Sequence, residues 1–134
     1  MTIGKYKSAR SDAYRDRVKP TPEQCSNLRR LLERLRLAPE KGGYVQATGV
    51  FKTRREFNGQ DTDAFCVLGA IENEIALAKG VAWTEIDRDR VAPITEFFGI
   101  PSALQDDLMH LNDNKGQTLA QIADYIETAV ECCD

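Results

Sequence analysis

The sequence predicts a mainly helical α+β domain, a compact body of four to five helices with a minor β-hairpin or short strands. Three observations predict it. Apolar residues recur at helical spacing in several separate segments. Two of those segments open with a complete capping box, at Thr21–Gln24 and Thr118–Gln121. The stretch richest in aromatic and β-branched residues is short and interrupted by glycine.

The first helix opens at Thr21-Pro22-Glu23-Gln24, where threonine caps free amides, proline suits the first helical position and Gln24 reaches back. Cys25, Leu28, Leu31, Leu32 and Leu35 form its apolar stripe, and arginines with Glu33 take the other faces. Pro39 and the Gly42-Gly43 pair stop it near Leu37. Tyr44 to Phe51 is the best strand, broken at Gly49. Lys52 to Asp63 is polar, contains the turn signal Asn58-Gly59 and reads as a loop or hairpin tip. Ala64 to Lys79 reads as the central helix, apolar nearly all round in its first half. Gly69 inside it implies the close approach of another backbone, because glycine there costs about 1 kcal/mol against alanine. Val81-Ala82-Trp83 reads as a short strand before a charged stretch that runs through Arg90. Pro93 opens a short helix ended by Gly99. Ser102 caps the next, with Leu104, Leu108 and Leu111 as its stripe, and Asn112 to Gly116 forms a turn. Leu119, Ile122, Ile126, Ala129 and Val130 define the last helix.

At 134 residues the chain has the size of a single domain, and 42% hydrophobic with 29% charged residues favours neither disorder nor a membrane span. No apolar run approaches the roughly 18 residues of a transmembrane helix, and no apolar leader opens the chain, so the expected location is the cytoplasm. Cys25, Cys66, Cys132 and Cys133 make no CxxC pair, and adjacent Cys132 and Cys133 do not easily bond each other. Free thiols in a reducing compartment are the expectation, with no metal site and no cofactor motif. Charge is uneven. Residues 1–20 carry six basic side chains and two acidic ones, the remainder twelve and nineteen. This divides the chain into a basic amino-terminal arm, 1–20, and a single helical domain, 21–134. The arm, with Lys5, Lys7, Arg10, Arg15 and Arg17, either meets nucleic acid or an acidic partner, or folds back on its own acidic body, or is simply a frayed, solvated terminus.

Three residues suggest chemistry. Cys66 stands near a helix start, where the dipole favours a thiolate, and a nucleophilic cysteine needs a base. His110 is the sole histidine, with Asp113 close in sequence to orient it. A cysteine between Phe65 and Val67 is equally a small core residue. Asp106 with Asp107, and Glu72 with Glu74, point to different helix faces and make no acid–base pair. Glu85, Asp87 and Asp89 would share one side if their stretch were a strand. Asn112-Asp113 suits a polar ligand or simply shapes a turn, and NDNKGQ does not fit a calcium loop.

Three blocks carry a resemblance. They are Tyr44-x-Gln46-x-x-Gly49, then Phe65-Cys66-x-Leu68-Gly69-Ala70, then Leu111-Asn112-Asp113-x-x-Gly116-x-Thr118-Leu119-x-x-Ile122-Ala123-x-x-Ile126. Across about residues 27–130 the chain resembles a family of uncharacterised proteins encoded by bacteriophages and by actinobacterial and proteobacterial genomes. Val67 stands where that family often has a second cysteine, and residues 1–20 have no counterpart in it. The resemblance implies a phage or mobile-element origin and points to Cys66, Gly69, Asn112 and Asp113, with Tyr44 and Gln46 as further binding positions. His110 matches no position of the pattern. The expected function is a small non-catalytic phage or prophage protein that binds a host protein, for instance in a defence or regulatory system. The alternatives are a cysteine-dependent hydrolase or small-ligand binder using Cys66 and Asn112/Asp113, and nucleic-acid binding through the basic arm.

Overall fold

A computed structural model describes residues 4–86 and 92–132. Five helices surround and include one sealed element, and two small sheets lie at the periphery. The helices are α1 (Pro22–Arg36), α2 (Val67–Lys79), α3 (Ala92–Phe98), α4 (Ser102–Asp113) and α5 (Leu119–Ala129). The strands are β1 (Lys5–Lys7), β2 (Tyr14–Asp16), β3 (Val45–Gln46), β4 (Lys52–Phe57) and β5 (Gln60–Phe65).

Both capping boxes form as their residue types dictate, with the Thr21 and Thr118 hydroxyls accepting from Gln24 and Gln121 N–H and the glutamines returning a bond to the cap amides. Gln24 does more than cap. Its Nε2 donates to the carbonyls of Thr95 and Glu96, and Asn27 Nδ2 donates to Phe97 O at 2.9 Å. Polar residues of α1 thus satisfy the free carbonyls at the end of α3. The expected stripe of α1 is buried throughout. Val67, Ala70, Ile71 and Ile75 of α2 are fully sealed, so this helix is the central pillar, packed against α1, α3 and α4. Each of the valine and isoleucine side chains contributes roughly 1.5–3 kcal/mol by leaving water.

Gly69 explains how α2 meets the sheet. A Cβ built there would lie 1.9 Å from the Phe51 carbonyl oxygen. The backbone leading into β4 passes directly over the first turn of the helix, the close approach the sequence implies.

The boundaries differ from the sequence expectation in five places. The central helix begins at Val67, not Ala64, because Ala64 and Phe65 are taken by β5, paired with β3 on one side and β4 on the other. The Tyr44–Phe51 strand shrinks to Val45–Gln46, parallel to β5, since Gly49 turns the chain with a φ of 76°. Lys52–Asp63 is a hairpin of two six-residue strands around Asn58-Gly59, both at positive φ, as a two-residue turn of primed type requires. Val81–Trp83 is no strand: Val81 N–H returns to Ala76 O and Glu85 N–H to Ala82 O, so the amides are spent locally in a 3-10 turn over Trp83–Glu85. Pro101, not Ser102, caps α4, without a side-chain bond. Asp87 and Asp89 lie outside the described residues.

The basic segment folds back. β1 and β2 form an antiparallel hairpin, Tyr6 is buried against Tyr125 of α5, and Val18 bridges Val130 beyond that helix. Ser8 Oγ donates to buried Asp107 at 3.0 Å, and Ala9 N–H donates to the Tyr125 hydroxyl. Burial first, then the bond to Asp107, raises the Tyr125 phenol well above its ordinary range.

The cysteines require a further correction. Glu131 N–H donates to Val18 O at 2.7 Å, and this carries the tail to the start of α1, where Cys132 bonds Cys25 across 107 residues of sequence. Such a bond is at odds with the reducing compartment expected from the sequence. Among the described residues Cys66 is the free thiol. No helix of the described residues is long and apolar enough to cross a membrane.

Two outcomes follow. Gly69→Ala forces a methyl group into the Phe51 carbonyl and is expected to cost about 3 kcal/mol or more in urea unfolding. Cys25→Ser opens the 107-residue loop and is expected to cost about 4 kcal/mol; an unfolding midpoint unmoved by this change refutes the bridge.

Candidate functional site

Four of the residues marked by sequence meet at one point: Cys66, Asn112, Asp113 and Gln46. Asn112 is on the last turn of α4 and is 0% exposed. Its Oδ1 accepts from Val67 N–H at 3.0 Å and from Gln46 Nε2 at 2.9 Å. Its Nδ2 donates to Ala47 O at 3.0 Å and to Asp113 Oδ1 at 2.7 Å. An amide side chain has two acceptor sites and two donor hydrogens, and all four are used. Asp113 Oδ1 also accepts from Gly49 N–H at 3.0 Å, and Gln46 Nε2 also donates to Gln117 O at 2.7 Å.

Cys66 is the N-cap of α2. Its Sγ accepts from Gly69 N–H at 3.4 Å and lies 3.9 Å from Met109 Sδ. Two side chains therefore divide the free amides at this helix start, Cys66 serving Gly69 and Asn112 serving Val67. The dipole that would favour a thiolate is present, but burial outweighs it. Burial pushes the thiol from 9.0 up to about 11, against the lowering effect of the Gly69 and Leu68 amides. Asp113 and Glu72 push in the same direction as burial.

His110 does not join this group. It lines a cleft with Lys7 of β1, with Arg10 and Ser11 of the β1–β2 loop and with Lys115. Asp113 turns to Gly49 and Asn112, so the cysteine–histidine–aspartate arrangement considered from sequence is not assembled.

Tyr44 belongs to a second cluster. Its hydroxyl donates to Glu74, which also pairs with Arg34 at 3.3 Å, and it accepts from Asn73 Nδ2 at 3.0 Å. The Arg34 guanidinium stands over the Tyr44 ring, 5.4 Å from its centre. Burial first, then the Glu74 bond, raises this phenol strongly. Glu72 and Glu74 face different sides, as do Asp106, paired with Arg10, and buried Asp107.

The arm residues are spread out. Lys5 pairs with Asp16 and Lys7 with Asp12, Arg17 Nε donates to Thr128 O, and Arg15 is exposed. Among the described residues no cluster of histidine, cysteine and carboxylates could hold a metal ion. Sequence reasoning passed over the Ser8–Asp107–Tyr125 triad. Its only local trace is the placement of Asp107 on the Leu104–Leu108–Leu111 face of α4.

No protein family, curated protein or solved structure matches this chain.

Asn112→Ala strands Val67 N–H and Ala47 C=O and leaves Gln46 Nε2 with the Gln117 carbonyl as its remaining acceptor. It is expected to cost about 2–4 kcal/mol in chemical denaturation, whereas Asp113→Asn, which keeps the acceptor for Gly49, costs under about 1 kcal/mol. Cys66 gives a pH test. Because the folded thiol titrates higher than the unfolded one, its contribution is complete below about pH 9 and is lost as pH rises through 11. Native iodoacetamide labelling of Cys66 at pH 8, located by peptide mapping to separate it from Cys133, should be slow and should accelerate sharply in urea; rapid native labelling at Cys66 contradicts a sealed thiol.

Proposed function

We propose that this chain is a small non-catalytic binding protein of phage or prophage type that acts by holding a host protein. What supports the reading most is the closed bonding of Asn112. Asn112, Asp113 and Gln46 are consumed in joining strands to helices, and none of the four bonds of the Asn112 amide is left for a ligand. Cys66 adds to this, since a protonated thiol packed against Met109 is no nucleophile at neutral pH. The resemblance described from the sequence supports the phage setting, and a host defence or regulatory protein is the kind of target such a protein meets.

One observation favours a second reading, an interaction with nucleic acid. Lys7 and Arg10 from the amino-terminal hairpin converge with His110 and Lys115 on a polar cleft of about 360 Å³. Phosphate oxygens suit such a cleft, although Asp12 and Asp106 already pair with Lys7 and Arg10.

The purified chain used as bait is expected to retain one protein in stoichiometric amount from a bacterial lysate, and the Cys66→Ala bait the same protein. Repeated captures that return nothing refute the binding reading. For the second reading, Arg10→Glu with Lys115→Glu should abolish a gel shift that weakens steeply with salt; a shift indifferent to both changes removes the cleft from consideration.

A further inference from the structure

The carboxyl tail beyond α5 is fastened first by backbone and then by sulfur. Val18 N–H donates to Ala129 O at 2.9 Å, and Glu131 N–H donates back to Val18 O at 2.7 Å. Cys132, one residue further on, is joined to Cys25 in the first turn of α1. The two sulfur-bearing residues are unequal. Cys25 is 1% exposed, whereas Cys132 is half-buried. Both border a surface groove of about 250 Å³, lined also by Arg29 and Leu32 of α1 and Glu127 of α5. A bridge with one residue open to solvent is within reach of a thiolate, and such bridges are the exchangeable ones.

A bond so placed opens without taking the core with it. Leu28, Leu31 and Leu35 of α1 and Ile122 and Ile126 of α5 belong to one buried apolar cluster. Arg36 of α1 also pairs with Asp124 and Glu127 of α5, each at 2.7 Å. These contacts keep α1 on α5 whether or not sulfur joins the ends. A disulfide acts chiefly by restricting the unfolded chain, so its loss lowers the unfolding midpoint and leaves folded contacts in place. The Glu131–Val18 bond meanwhile holds the residue before Cys132. With Cα atoms 5.7 Å apart in the closed state, the two cysteines are placed to re-form their bond.

We infer that Cys25–Cys132 is a redox latch, opened by attack of a small thiolate, such as that of glutathione, on the Cys132 sulfur. The thiolate bonds to Cys132 Sγ, the bridge breaks, and Cys25 leaves as a thiolate that takes up a proton. A second thiolate attacks the reagent's sulfur in the mixed disulfide. Cys132 is released as a thiol, and the two reagent molecules leave joined as their own disulfide. The chain gains two electrons and two protons, and two reagent thiols are oxidised. The same steps in reverse, with the oxidised reagent, close the latch. In a reducing compartment it stands open, and oxidation shuts it. Opening removes one wall of the groove beside Leu28 and Leu32 and frees Cys132 from α1. Such regulation needs no particular partner and is independent of the binding reading above.

The test uses the full chain, oxidised with glutathione disulfide, and its Cys133→Ser variant, which removes the alternative sulfur next to Cys132. Reduced glutathione near neutral pH is expected to open the bridge of the native protein within about tenfold of its rate in urea. Acid quenching and peptide mapping should find the first glutathione on Cys132. Amide shifts should move at Val18, at Cys25–Arg29 and at 130–132, while those of α2 stay. Glutathione disulfide should then restore the starting spectrum, and Cys133→Ser should behave as the wild type does. A larger ratio of the two rates marks a sealed structural bridge and overturns the latch. Glutathione trapped first on Cys25, loss of the α2 signals on reduction, or failure to close again overturns it too. Loss of the bridge in Cys133→Ser, or Cys25 and Cys132 both alkylated after oxidation, refutes the pairing itself.

Discussion

Asn112 sits where α4, β3 and the amino end of α2 come together, and its single amide serves all of them. The central helix is apolar and sealed, so its first amides have no water to turn to and must be satisfied from within. Cys66 is a weak acceptor, and its sulfur answers for the Gly69 and Leu68 amides. Val67 depends on Asn112, and the same oxygen holds Gln46, which in turn secures the Gln117 carbonyl ahead of α5. Buried polar networks of this kind have value only when complete, because each stranded member costs more than a finished bond contributes. Gln46 and Gly49, the amino end of α2 at Val67, and Asn112 with Asp113, far apart in sequence, are in this fold the parts of that one network. Their spacing reflects a structural joint.

Outside this joint the sheet reaches into solvent. Helices α1, α2, α4 and α5 supply the enclosed mass, and the β4–β5 hairpin extends beyond it with Arg54, Arg55, Asn58 and Gln60 in solvent. The cation–π stack of Lys52 over Phe65 and Trp83 anchors its inner end.

What was legible in the sequence is what local chemistry decides. Thr21 with Gln24 and Thr118 with Gln121 name two helix starts, Gly80 and Gly99 end two others in the left-handed conformation, and Gly69 in an apolar helix announces a backbone overhead. What was not legible depends on partners far along the chain. Lys52–Phe57 is too polar for its pattern to show a strand, and only pairing with β5 makes it one. Asn112 next to Asp113 reads as turn chemistry, and no local feature reveals that it caps a helix 45 residues away. Cys25 and Cys132 are brought together where Val18 bridges Val130, a pairing that depends on the folding back of the amino-terminal segment and has no local trace in the sequence.

The Cys25–Cys132 bond also determines how the molecule carries mechanical load. Tension between the two ends of the chain would run from the amino terminus to Cys25 and cross the sulfur bridge directly to the carboxyl tail. All five helices except the first turn of α1 lie inside the covalent loop and would bear none of it. Only the leading hairpin, ahead of Cys25, is extensible, so pulling would peel Tyr6 and Ser8 from α5 and α4 while the interior around Asn112 stayed slack.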